Sequence, residues 1–248
     1  MKIIINCDDL GESRQVNDSI FGLIQQGRVT SATLMMNGPE IADALARIVD
    51  HPRASFGVHL NGTQYVPLTR HPGLEPLLDQ EGNFQGNLRR IPLTRGIREG
   101  LFAEWSAQIQ AALDGGVPVS HLDSHHHVHT EPRLFGILKR LQKKFHLRRV
   151  RITKNVYGAD HHVGKKLLAS KVAWNFALRH YFATETTDGF TSFIEFYSRL
   201  RAGLAWKGSI ELMCHPGGEL FVEETALLWG DWKEILAPAA QLISFNEL

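Results

Sequence analysis

The sequence predicts an α/β fold built on a mostly parallel sheet, either closed as a barrel or doubly wound. Short aliphatic or β-branched runs alternate with longer amphipathic segments, the rhythm of strands joined by crossover helices. The 248 residues suffice for one large domain with a substantial core, so a single domain over 1–248 is expected. Asp and His residues fall where several apolar runs stop, as catalytic groups do at the carboxyl ends of parallel strands.

In chain order, the expected strands are KIIINC (2–7), SATLMMN (31–37), FGVHL (56–60), VSHLDSH (119–125), RRVRIT (148–153), SIELMC (209–214) and QLISF (241–245). The first expected helix, 16–27, carries apolar residues at 16, 20, 23 and 24, one stripe at helical spacing, and ends in Gly. The second, 39–50, opens with Pro, which the first helical turn tolerates. Segments 100–116, 131–145, 165–182 and 222–240 follow the same pattern. The stretch at about 61–98 breaks the rhythm. It is rich in Gly, Pro and Asn, with EGNF as a hairpin turn, and connections of this length usually form lids or binding loops.

Composition excludes several classes. Hydrophobic residues make up 43% and charged residues 21%, with a formal charge of +1, ordinary for a globular protein. The basic stretch 138–151 reads as a solvated helix face followed by a strand, so no nucleic-acid partner is expected. MKIIINCDDL cannot supply a signal-peptide core, and no run reaches membrane-spanning length. Two cysteines, Cys7 and Cys214, do not make a disulfide framework. A cytoplasmic protein without membrane contact is expected.

HLDSHHHVH (121–129) packs five of the thirteen histidines into nine residues. Asp8 and Asp9 follow the first strand, His59 ends the third, Asp123 and His125 end the fourth, and His215 ends a later one. Each has a plainer explanation: adjacent acids near a helix N-cap, a core histidine, a turn before Pro-Gly-Gly, a metal-sticky tract. Their convergence on one sheet edge favours an active site. One carboxylate and two imidazoles with open positions make a hydrolytic metal centre. His125, His127 and His129 would share one side of a strand, whereas His125 and His129 would share a helix face. Surplus histidines and Asp123 could orient ligands through the second ring nitrogen. Asp8 and Asp9 can both act only if the strand breaks between them. Tyr65 and Phe84 would either stack on a ring of the substrate or anchor the 61–98 excursion.

NCDDLGES (6–13), VTSATLMMNG (29–38), FGVHLN (56–61), PLTRHPGL (67–74), SHLDSHHHVH (120–129) and MCHPGG (213–218) resemble, in order, the YdjC-like family of carbohydrate deacetylases, best known for chitooligosaccharide deacetylases. The resemblance implies a distorted (β/α) TIM-like barrel related to that of polysaccharide deacetylases, with one divalent metal ion; His ligands suit Zn2+, whereas Asp and water suit Mg2+. It implies Asp9, His59 and His125 as metal ligands, Asp8 as general base and His215 as general acid. Asp123, His127, His129 and Arg151 would bind substrate or support the ligands, Arg151 helping to bind substrate. The implied reaction is hydrolysis of an N-acetyl group on an amino sugar or chitooligosaccharide by a homodimer. The excursion and the chain beyond residue 160 depart from the family and leave the sugar unspecified. Three rivals remain: a two-carboxylate glycosidase pairing Asp8 or Asp9 with Glu211, a His-rich metal-binding non-enzyme, and a metal-dependent amidase on a non-sugar substrate.

Overall fold

The computed structural model describes residues 1–158 and 163–248. Its centre is a curled, fully parallel sheet. The strands are β1 (Lys2–Leu10), β2 (Ser31–Leu34), β3 (Ser55–Leu60), β4 (Val119–Ser124), β5 (Gly189–Ser192), β6 (Ser209–Cys214) and β7 (Gln241–Leu242). They run in the order β4-β3-β2-β1-β6-β5. β7 pairs with the start of β1 at Lys2 and Ile3, while β2 pairs further along it from Asn6. Helices α1 (Arg14–Gln25), α2 (Ile41–Ile48), α3 (Arg95–Asp114), α4 (Phe135–Phe145), α5 (Lys165–His180), α6 (Phe193–Arg201) and α7 (Val222–Trp229) complete the α/β architecture.

Closure of this distorted barrel falls to the segment expected as a strand at 148–153. It makes only isolated pairings: the Leu122 amide donates to the Arg149 carbonyl and the Arg151 amide to Leu122, while Val150 and Arg148 exchange bonds with Glu185. Further along, the Asn155 amide reaches the Phe190 carbonyl of β5. The segment thus crosses from one sheet edge toward the other, and neither neighbour stays beside it long enough for a regular strand.

Period-2 alternation explains the interior. On β1, Ile3, Ile5 and Cys7 join the main apolar core, whereas Ile4 packs with Ile243 and Phe245 at the barrel base. Asn6 and Asp8 continue on the side of Ile4 and meet Thr33, Asp123 and Arg151 through hydrogen bonds. The barrel is therefore apolar at its base and polar toward the strand ends. Gly57 makes this packing possible: a Cβ there would lie 2.6 Å from the His121 ring, which stacks on Phe245.

Several boundaries differ from expectation. β2 stops at Leu34, and β7 is only two residues long. Helix α3 starts at Arg95, because the Thr94 hydroxyl caps the Ile97 amide. The expected 222–240 helix ends at Trp229, followed by a separate 3-10 turn at Trp232–Ile235. β5 and α6 lie in a region without an expected element. β5 has four residues with one large apolar side chain, too short for a periodic signal. Lys139 does not sit on the solvated face expected of 138–151; it is buried, and its ammonium donates to the Leu178 and Tyr181 carbonyls and to Thr184. No helix of the described residues is long and apolar enough to cross a membrane.

Candidate active site

Strand β1 does break at its acids. Its register with β2 shifts between Cys7 and Leu10, and Asp9 adopts φ +66°. This left-handed residue lets Asp8 stay inside the barrel while Asp9 also turns to the cleft at its mouth. Asp9 Oδ1 lies 2.9 Å from His125 Nδ1 and 3.2 Å from His59 Nε2. One donor atom from each of the three residues falls within 4.8 Å of the others. Burial pushes the Asp9 carboxyl up, but the close His125 and His59 imidazoles outweigh it and hold Asp9 well below the usual carboxylate range.

His59 is held from beneath. Its Nδ1 lies 2.7 Å from Asp123 Oδ1, an arrangement that fixes the tautomer and presents Nε2 to the cleft. Burial lowers the basicity of His59, yet the Asp123 and Asp8 carboxylates overcome that and raise it well above the ordinary value.

Beyond Ser124 the histidine run is neither a strand nor a regular helix. β4 ends at Ser124 and a 3-10 segment follows, with His126 and His127 both left-handed at φ 52° and 54°. The five imidazoles therefore diverge. His125 joins Asp9 and His59. His126 lies against Thr63, its Nδ1 3.0 Å from the hydroxyl. His127 lines the cleft and also a second cavity of about 460 Å³ that includes Arg89, Lys171 and Trp174. Burial and the Arg151 charge push His127 down to about 3. His121 and His129 are fully buried. His129 has Nδ1 2.5 Å from Ser124 Oγ and Nε2 3.1 Å from the Arg151 carbonyl, so it has no nitrogen left for substrate.

Arg151 requires a correction. It was expected to help bind substrate, but its side chain is entirely buried beneath the site. The guanidinium grips Asp8 in a fork, Nη1 to Oδ2 at 2.7 Å and Nη2 to Oδ1 at 2.6 Å. It also reaches Asp123 at 2.8 Å and Glu211 at 2.7 Å, and lies over the Phe190 ring. Three carboxylates around one guanidinium leave a surplus of negative charge. Burial, only partly opposed by Arg151, raises Glu211 to about 7. Asp8 and Asp123 are both lowered: burial raises each, and the nearby Arg151 charge overcomes it.

Opposite this floor stands His215, at the end of β6. Its Nε2 is 4.0 Å from Asp8 Oδ2. Its ring stacks on Phe221, and the buried Glu224 accepts its backbone amide at 2.7 Å and stands 3.8 Å from Nδ1. Burial lowers His215, but the Glu224 and Asp8 carboxylates give a net rise. The cleft measures about 690 Å³. Glu12, Gln64 and Tyr65 also line it, and no strand-end pattern singled them out. Tyr65 faces Glu12 with its hydroxyl 3.4 Å away, whereas Phe84 is buried and anchors the excursion. Glu224 was missed as well; its only sequence signal is an acid nine residues beyond His215.

Known proteins match nearly the whole chain in sequence. A carbohydrate deacetylase of Halalkalibacterium halodurans is 32% identical over 94% of this chain and 93% of its own. One from Vibrio campbellii is 30% identical over 87% and 78%. The fold is shared with an Enterococcus faecalis protein provisionally ascribed to cellobiose-phosphate cleavage, at TM-score 0.79 and 22% identity over 99% of this chain and 98% of that one. The YdjC-like protein profile matches residues 2–228, and the chain belongs to that family.

Proposed function

We propose that this chain is a metal-dependent carbohydrate deacetylase, hydrolysing the N-acetyl group of an amino sugar or chitooligosaccharide to acetate and a free amine. The observation that carries this is the meeting of Asp9, His59 and His125 in one cleft, with Asp8 and His215 facing each other beside them. The names of the two long-matching relatives support the same reaction class.

The donor set fits a divalent ion. Asp9 Oδ1 stands 2.9 and 3.2 Å from the two imidazole nitrogens, a spacing compatible with bonds of about 2 Å to one ion. Asp9, His59 and His125 would hold it, Mg2+ or Zn2+. When bound, such an ion supplies Lewis-acid polarisation and lowers the pKa of water.

The proton transfers belong to the chain's own residues. Asp8 takes the proton of the attacking water, and the Arg151 fork keeps its carboxylate ionised and aimed. An amine leaves poorly as an anion, so His215 Nε2 protonates the nitrogen as the C–N bond breaks. The raised basicity of His215 keeps it loaded for that step. Asp123 and Arg151 act from below, holding His59 and Asp8.

Two rivals lose ground on geometry. Glu211 is fully buried behind Arg151 and has no access to a glycosidic bond. A His-rich metal store would need the run to present its imidazoles together, and they diverge. An amidase acting on a non-sugar substrate is separated by experiment: acetate release from N-acetylated mono- and oligosaccharides, with and without chelator. Release that chelation stops and Mg2+ or Zn2+ restores supports deacetylation. Silence on every sugar, with hydrolysis of a simple N-acetylated amine, would assign the chain to the rival amidase.

A further inference from the structure

We infer that Gln64 is a positioning residue of the ion site: its side-chain carbonyl accepts the Nε2 proton of His125 and so turns Nδ1 toward Asp9. The inference rests on the proposed ion site and extends it to a loop outside the barrel. Gln64 Oε1 lies 2.8 Å from His125 Nε2, while His125 Nδ1 lies 2.9 Å from Asp9 Oδ1. His59 has the same construction in reverse. Its Nδ1 is held by Asp123 from inside the barrel, leaving Nε2 for the cleft. Each histidine thus has one nitrogen tied and one offered, but the tying group is a carboxylate for His59 and a neutral amide for His125.

A loop side chain can hold an imidazole this way only if the loop is fixed, and this one is. Asn61 is fully buried, and its Oδ1 accepts from the Thr63 and Gln64 amides, while its Nδ2 donates to the Gln64 carbonyl. Asn37 donates to the same carbonyl from the turn after β2. The turn is rooted on α3, where Trp105 and Gln108 donate to the Asn61 carbonyl and Gln108 accepts its amide. Tyr65 then takes φ +62°, a conformation uncommon for a bulky residue. The contacts that Asn61 and Asn37 make with Gln64 all use its backbone, which leaves its side chain free to serve His125. Replacing that side chain therefore spares the turn.

The test is calorimetric titration of the metal-stripped protein with Zn2+, alongside its thermal melting. Gln64→Leu keeps the bulk and loses the acceptor, so affinity falls by roughly tenfold to a hundredfold, the usual cost of losing a group that orients a metal-binding histidine. Gln64→Glu restores an acceptor and binds Zn2+ at least as tightly as the parent. Both melt with the parent when metal-free, which a merely structural role would not allow. His125→Ala is the control. If it loses Zn2+ while Gln64→Leu binds like the parent, the role of Gln64 is overturned and the ion site stands. If His125→Ala binds like the parent, the ion site itself is wrong and the inference falls with it. Equal weakening by Gln64→Leu and Gln64→Glu also overturns the acceptor role.

Discussion

Along the floor of the cleft, ionisable side chains have partners inside the barrel: Asp8 with Arg151, Asp9 with His59 and His125, Asp123 with His59 and Arg151. The wall is built differently. It rises from the turn after β6 and from the excursion, and it carries Leu220 at 92% exposure and the half-buried Tyr65. The floor consists of charges locked by one another in low dielectric, so removing one strands the rest. The exposed apolar side chains of the wall, such as Leu220, take no part in that charge network. Chemistry and stability should thus be sensitive to the floor, and substrate choice to the wall.

His215 stands where the two meet, and its loss should have the largest kinetic effect. His215→Ala is expected to lower turnover roughly a hundred- to ten-thousandfold with bound metal unchanged, measured by acetate release and metal analysis. Metal loss in this variant would place His215 on the floor.

Within the floor, Arg151→Met should destabilise the fold by about 3–5 kcal/mol, because it leaves buried carboxylates without their cation. Denaturant unfolding measures this. A change below about 1 kcal/mol would mean that the carboxylates hold each other's protons and need no guanidinium.

A gentler change gives a pH signature. Native Glu211 keeps its proton up to about pH 7, whereas its ordinary value is 4.5. Between those values the native state binds more protons than the unfolded chain, so this group's contribution to stability declines as pH rises. Glu211→Gln lacks that decline while still offering an acceptor to Arg151. The melting difference, variant minus parent, should climb from pH 5 to pH 8; a flat difference would show Glu211 ionised throughout.

The smallest effect belongs to the wall. Leu220→Ser should shift KM by less than about tenfold and leave kcat and stability nearly unchanged. A collapse in kcat would erase the distinction between wall and floor.

The same division governs what could be read from the residues alone. Strand ends carry their polar groups in short contiguous words, NCDD, GVHLN, HLDSH and CHPG, so the residues that gather on the floor were legible. Partners from distant segments were not. Arg151 reads as the end of a basic strand until the fold sets it among Asp8, Asp123 and Glu211. Gln64 and Glu224 are ordinary polar residues until the turn and helix α7 bring them to His125 and His215. The histidine run was ambiguous between strand and helix because two successive left-handed residues, His126 and His127, belong to neither. Lys139 looked solvated because composition records charge and not the carbonyls that Leu178 and Tyr181 supply.

The most direct measurement is a count of ions per chain. Chelated protein and its Asp9→Asn variant are dialysed to equilibrium against Zn2+, and bound metal is quantified by mass spectrometry. One ion in the parent and none in the variant is the predicted result, since Asp9 Oδ1 is the atom both imidazoles approach. No ion in the parent, or one in each, would contradict the shared cation on which the deacetylation account depends.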